Sequence, residues 1–115
     1  MRTHVLITAL FGLLVAPGSV QAQEKYPTKP VRLIVASAPG GSPDIVARIL
    51  AQKLTEAFRQ SVVVDNRSGG GGTIGAETAL MANPDGYTML LIPSGYAANA
   101  ALYKLPYDPV NDVAP

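Results

Sequence analysis

The sequence predicts an α/β layered fold with parallel strands. Three observations carry that expectation. Three short apolar runs, residues 31–36, 62–64 and 88–92, are rich in Val, Ile and Leu. Stretches able to form helices follow each of them. Gly, Ser and Pro gather in the segments where each run gives way to its helix. Helical crossovers between consecutive strands imply parallel pairing and right-handed connections, hence helices layered on a sheet.

The chain begins with a segment unlike the rest. Arg2 is a positive n-region, Val5 to Ala16 is uncharged and apolar, and Pro17 and Gly18 break that stretch. Val20-Gln21-Ala22 has the small-x-small form of a signal-peptidase site. The apolar stretch is shorter than the ~20 residues that cross a bilayer. Residues 1–22 are therefore expected to be a secretory signal cleaved after Ala22, which leaves one domain of residues 23–115. Residues 26–30, Tyr-Pro-Thr-Lys-Pro, form an extended lead-in, because two prolines fix φ and disfavour helix before them.

Val31 to Ala36 is apolar except for Arg32, as suits a strand buried on both faces. The loop Ser37-Ala38-Pro39-Gly40-Gly41-Ser42-Pro43-Asp44 ends in a helix start. Ser42 fits the N-cap, Pro43 the N1 position, and Asp44 the positive end of the dipole. The helix is expected to reach Phe58, with Ile45, Val46, Ile49, Leu50, Leu54 and Phe58 as its apolar stripe. Arg48, Gln52, Lys53, Glu56 and Arg59 take the solvated face. Val62-Val63-Val64 is a β-branched second strand. Residues 65–72 form the second loop, and Thr73 to Ala82 a short Ala-rich helix. Asn83-Pro84-Asp85-Gly86 is a turn. Thr88 to Ile92 is the third strand, residues 93–96 the third loop, and 97–103 a third helix. The tail beyond Leu105 has too many prolines for a regular element.

This order places residues 37–43, 66–72 and 93–96 at the carboxyl ends of parallel strands. Ligands of open α/β sheets bind along that edge. Each loop carries Gly together with Ser or Asn, and converging amides and hydroxyls suit a carboxylate or phosphate. Five of the eleven glycines lie within residues 69–75.

Composition narrows the chemistry. There is no Cys, and the single His is His4, inside the segment expected to be removed. A Ser-His-Asp triad and thiolate or imidazole metal sites are thereby excluded from the mature chain. Removing Arg2 leaves eight basic and eight acidic residues, with no basic run, so nucleic acid is a poor partner. Gly70, Gly72 and Gly75 satisfy G-x-G-x-x-G, but no carboxylate follows the next strand at Ile92-Pro93-Ser94. The run also follows the second strand, so a nucleotide-dependent enzyme is the minor alternative. A P-loop is excluded by Ala76 and Glu77, and Ile92-Pro93-Ser94-Gly95-Tyr96 is no nucleophile elbow. Asp44 reads first as a helix-turn charge, Arg67 as a surface arginine, and Tyr87, Tyr96, Tyr103 and Tyr107 as packing residues.

Taken together, several stretches resemble a known family. They are Tyr26-Pro27-x-Lys29-Pro30-Val31-Arg32-Leu33-Ile34-Val35 and Pro39-Gly40-Gly41-x-x-Asp44-Ile45-Val46-Ala47-Arg48. Then come Val62-Val63-Val64-Asp65-Asn66-Arg67, Gly69-x-Gly71-Gly72-x-Ile74-Gly75, Pro84-Asp85-Gly86-Tyr87-Thr88-Met89 and Leu102-Tyr103-x-Leu105-Pro106-Tyr107-Asp108-Pro109. In this order and spacing they resemble the Bug-type substrate-binding proteins of tripartite tricarboxylate transporters.

The resemblance implies a periplasmic protein of type II periplasmic-binding fold, with two α/β lobes and a ligand between them. It implies no cofactor and no catalysis. The implied ligand is a small carboxylate: a di- or tricarboxylate, an acidic amino acid or an aromatic acid. The implied partner is a membrane permease. Carried onto this chain, the site comprises Ala38, Pro39, Gly40, Gly41, Ser42 and Asp44, with Gly70, Gly71, Gly72 and Thr73. Ser94, Gly95 and Asn99 add contacts. Family members are much longer, so residues 23–115 are expected to be the N-terminal part of the first lobe, and a truncated product without function is the other alternative. Ser37 stands where the family often has an aromatic residue, and Arg59 where it usually has Gly.

Overall fold

A computed structural model describes residues 25–113; the expected signal segment, residues 1–22, lies outside them. Three strands, β1 (Val31–Val35), β2 (Val62–Asn66) and β3 (Thr88–Leu91), alternate with three helices. The helices are α1 (Ser42–Phe58), α2 (Thr73–Leu80) and α3 (Tyr96–Leu102), with a 3₁₀ turn at Gly70–Gly72 before α2. The sheet is parallel throughout, in the order β2-β1-β3. The expected strand-helix alternation and parallel sheet are therefore present.

β1 is central, and its side chains go to both faces. Val31, Leu33 and Val35 join Val62, Ala47 and Ala51 in one core, with Leu54, Phe58, Val64, Met89 and Leu91 against it. On the opposite face Ile34 and Ala36 are buried, Ala36 directly against Gly75 of α2, whose Ala76 is buried too. So α1 and α2 cover opposite faces, as right-handed crossovers require when the chain steps from β1 to β2 and back past β1 to β3.

α1 corrects two expectations. Gly41, not Ser42, occupies its N-cap, and no side chain caps the turn. Its buried residues are Asp44, Ala47 and Ala51. Ile45, Val46 and Ile49 are 55%, 56% and 60% exposed. Small residues let the helix axis approach β1 closely; larger side chains on that face would hold it away. Leu54 and Phe58 do pack on the core as expected.

β2 is longer than its Val run. Asp65 and Asn66 pair with Ile34 and Val35, because each polar side chain finds a partner at the strand end. Arg32 Nε donates to Asp65 Oδ2 at 2.8 Å, and Arg67 Nε to Asp65 Oδ1 at 3.0 Å. Arg67 is thus an ion-pair partner rather than an isolated surface charge. Tyr87 packs on Tyr26, and Tyr96 stacks on Tyr107.

Candidate functional site

The loops after β1, β2 and β3 converge at the carboxyl edge of the sheet. Between β1 and β2 the chain leaves toward opposite faces, into α1 and α2. Such a divergence opens a crevice where α/β sheets hold ligands.

The first wall is the 37–44 loop. Ala38, Pro39, Gly40, Gly41 and Ser42 are exposed along it, and Asp44 behind them is buried. The Gly40 N–H, expected to face a ligand, donates to Asp44 Oδ2 at 2.9 Å. The Asp44 carboxylate also accepts from Arg48 Nε and Asn66 Nδ2, each at 3.0 Å. The Arg48 bond, then those from Gly40 and Asn66, hold its carboxyl well below the usual range, at about 2. The Gly41 N–H makes no hydrogen bond among the described residues, and the Ser42 hydroxyl makes none either.

The second wall is the glycine run. Gly69, Gly70, Gly71 and Gly72 have φ of 124°, 57°, 65° and 98°. Four consecutive residues in that half of the map require glycine. The turn closes on itself, with Gly72 N–H donating to Gly69 O at 3.0 Å and Thr73 N–H to Gly70 O. Gly70 and Gly71 are exposed, and among the described residues their N–H groups donate to no protein acceptor. Thr73 Oγ1 lies over Gly70, where a Cβ would come within 2.2 Å of it.

The third wall supports the second. Asn99, 5% exposed in α3, donates through Nδ2 to Gly71 O at 2.8 Å. Pro93 covers Gly72, so closely that a Cβ there would lie 3.1 Å from the proline ring. Ser94 and Gly95 remain exposed beside them. The structure thus brings Ala36, Gly71, Gly72, Pro93 and Asn99 together, while both Asp44 oxygens and the Asn99 Nδ2 are engaged with the protein. Arg48, expected on the solvated face, and Asn66, expected in the second loop, were not among the candidate site residues, yet they complete the Asp44 network. The spacing of Asp44 and Arg48, one turn apart, was the available signal for Arg48; only the strand register brings Asn66 to them.

The described residues also form concavities outside this edge. One groove of about 510 Å³ runs between α1 and β2, and another of about 600 Å³ lies beside Glu77, Met81 and Tyr107. At the converging edge Ala38 to Ser42, Gly70, Gly71, Ser94 and Gly95 are exposed. Among the described residues no group of acidic or imidazole side chains is arranged to hold a metal ion.

A parallel sheet whose edge offers amides and hydroxyls, with no imidazole or thiol among its residues, has the features of a lobe of a solute-binding protein. Comparison with known proteins gives that class a family. The model of the tripartite tricarboxylate transporter family receptor matches residues 46–115. The chain belongs to that family. A protein from the TAR-I ttuE-ttuC' intergenic region of Agrobacterium vitis is 43% identical, over 92% of this chain and 31% of its own length. BugT of Bordetella pertussis is 36% identical, over 95% of this chain and 35% of its own. The chain spans about a third of the length of these curated relatives.

Solved structures agree with the fold. The periplasmic binding protein BugD superposes with a TM-score of 0.72 at 43% identity, covering 76% of this chain and 29% of BugD. MatC of Rhodopseudomonas palustris with bound malate gives a TM-score of 0.68 at 34% identity, covering 76% of this chain and 30% of MatC. An R. palustris protein with adipate gives 0.69 at 40%, covering 73% and 29%. The described residues therefore form part of one α/β lobe, and the family and its structural neighbours are solute-binding proteins rather than enzymes.

Proposed function

We propose that this chain supplies one wall of a periplasmic receptor for a small carboxylate, which the full-length protein presents to a membrane permease. The observation that carries the reading is the set of amides of Gly41, Gly70 and Gly71, on the loops that leave the carboxyl ends of β1 and β2, which make no hydrogen bond among the described residues. Exposed hydroxyls of Ser42 and Ser94 flank them, and Thr73 Oγ1 stands over the glycine run. Free amides on neighbouring loops of one sheet edge can accept an oxyanion without a counter-charge. Gly40, Asp44, Gly72 and Asn99 shape these walls, and Ala38, Pro39 and Gly95 keep them low enough for a ligand to approach. Malate and adipate, bound in two of the neighbours, have the carboxylate end that such a wall accepts. We also propose that residues 1–22 direct export and are removed, so that the mature protein begins at Gln23; N-terminal sequencing of the secreted protein checks this.

Calorimetry of the full-length protein against malate, adipate, succinate and citrate tests the ligand class. Binding of at least one is expected, and no heat with any of them overturns the reading. Gly41→Leu and Gly95→Leu sharpen the test. Gly41 has φ of −77° and Gly95 of −72°. A Cβ at Gly41 meets only ordinary contacts at 3.6 Å, and one at Gly95 meets nothing within 4 Å. Both variants should fold, yet Gly41→Leu should weaken binding at least tenfold, about 1.4 kcal/mol.

A further inference from the structure

Asp44 stands where a negative charge is least expected, at an edge read as a carboxylate site. Its surroundings explain how it is tolerated. The residue is 4% exposed. Oδ2 accepts from the Gly40 N–H at 2.9 Å and from Arg48 Nε at 3.0 Å. Oδ1 accepts from Asn66 Nδ2 at 3.0 Å, and the same nitrogen donates to Ser37 O at 3.3 Å. Arg48 Nη2 closes the ring onto Asn66 Oδ1 at 3.4 Å. With both oxygens engaged and the side chain covered, Asp44 has no face left for a ligand. Arg48 balances its charge, so the ring adds no net repulsion toward an incoming anion.

The ring joins three pieces of chain: the β1–α1 loop through Ser37 and Gly40, α1 through Arg48, and the end of β2 through Asn66. These are the pieces that part toward opposite faces of the sheet. The ladder itself adds one further tie here, Arg67 N–H to Val35 O at 2.8 Å. We propose that Asp44, Arg48 and Asn66 are a positioning clamp that holds the Gly40-Gly41 loop at a fixed distance from the glycine run. The clamp governs ligand affinity without touching the ligand. It rests on the carboxylate reading for its consequence, and on the ring alone for its existence.

Two measurements on the full-length protein test it. The first needs no ligand: amide hydrogen exchange at Gly40 in the wild type and in Asn66→Ala. Gly40 keeps its acceptor in that variant, so a loop tied only locally would exchange unchanged, and that result overturns the clamp. The clamp predicts exchange about tenfold faster, one unit of opening equilibrium at about 1.4 kcal/mol, with the global unfolding midpoint held.

The second is affinity for malate and adipate. Removing a buried negative charge near an anion should tighten binding if Asp44 acts through its charge. Through the clamp, Asp44→Asn weakens it, because one amide cannot accept both Gly40 and Arg48 and also accept from Asn66. Weakening of about tenfold, with the Asp44→Asn/Asn66→Ala double variant no worse than the poorer single, supports one unit. Tighter binding in Asp44→Asn, or additive losses, overturns it. Should Asp44→Asn fail to fold, Arg48→Gln and Asn66→Ala supply the same cycle. A wild type that binds none of the carboxylates refutes the ligand reading, while the exchange measurement still decides the clamp.

Discussion

Gly71 shows what single residues contribute to this edge. Its φ of 65° is left-handed, and a Cβ would stand 3.2 Å from Asn99 Oδ1. Ala there is expected to destabilise the lobe by about 1–2 kcal/mol, read as a lowered urea midpoint. An unchanged midpoint would mean the turn tolerates another conformation. Asp44 makes the second residue-scale prediction. Its carboxyl is held at about 2 against 3.8 for the free group, chiefly by Arg48. A depressed folded-state value means the ionised form is favoured by folding. That contribution is complete above pH 3.8 and is lost as the pH falls to about 2. Asp65, Asp85 and Asp108 are also lowered and share the acid range, so the difference between wild type and Asp44→Asn isolates its part. Circular dichroism should find the two stability curves meeting near pH 2, separating between pH 2 and pH 3.8 and running parallel above that; curves parallel over the whole range would refute the assignment. The glycine run was legible because four adjacent glycines have few other uses. The burial of Asp44 was not, because a first-turn carboxylate has the same sequence form whether it faces water or a neighbouring strand.

At the scale of elements, the strands were legible and the orientation of α1 was not. Val31–Val35 is apolar nearly throughout, and a run so short and β-branched has one structural use. In α1 two stripes compete at helical spacing. Ile45, Val46, Ile49 and Leu50 form the more hydrophobic one, and 44, 47, 51, 54 and 58 form the one that packs. Hydrophobicity measures how much a face gains by burial, whereas Ala47 and Ala51 decide how near the helix can come. The same closeness governs α2: a Cβ on Gly75 would lie 2.7 Å from Ala36 Cα and 2.9 Å from Arg67 O. Backbone cannot move aside as a side chain does, so Gly75→Ala should cost about 1–3 kcal/mol, and a midpoint equal to wild type would refute the close packing of α2. Arg59 gives the opposite sign. It ends α1 in the left-handed conformation, φ 55°, with its N–H bonded to Thr55 O. Arg59→Gly relieves that strain and is expected to raise stability by up to about 1 kcal/mol. A loss in urea titration would show that the arginine side chain holds the helix end.

For the whole molecule, the balance between covered and uncovered apolar surface is the deciding property. The core is small: Val31, Leu33, Ile34, Val35, Ala36, Ala47, Ala51, Val62 and Ala76 are its buried apolar residues among those described. Against it stand Ile45, Val46 and Ile49, all more than half exposed along one face of α1, and Leu50 beside them at 41%. Among the described residues the sheet adds two free edges, since β2 and β3 each pair only with β1 there. Monomeric proteins rarely leave contiguous apolar patches of this kind, and unpaired strands are templates for association. Relatives about three times as long have the additional chain with which to cover such surfaces. Residues 23–115 produced alone should therefore bind a hydrophobic dye and elute above monomer size, with the elution volume depending on concentration. Ile45→Lys/Ile49→Lys, placed on the exposed stripe, should reduce both without unfolding α1, because neither side chain belongs to the packed face. A dye-negative monomer from the unsubstituted piece would show that this lobe is closed without further chain, and the exposed face of α1 would then be an ordinary solvated surface.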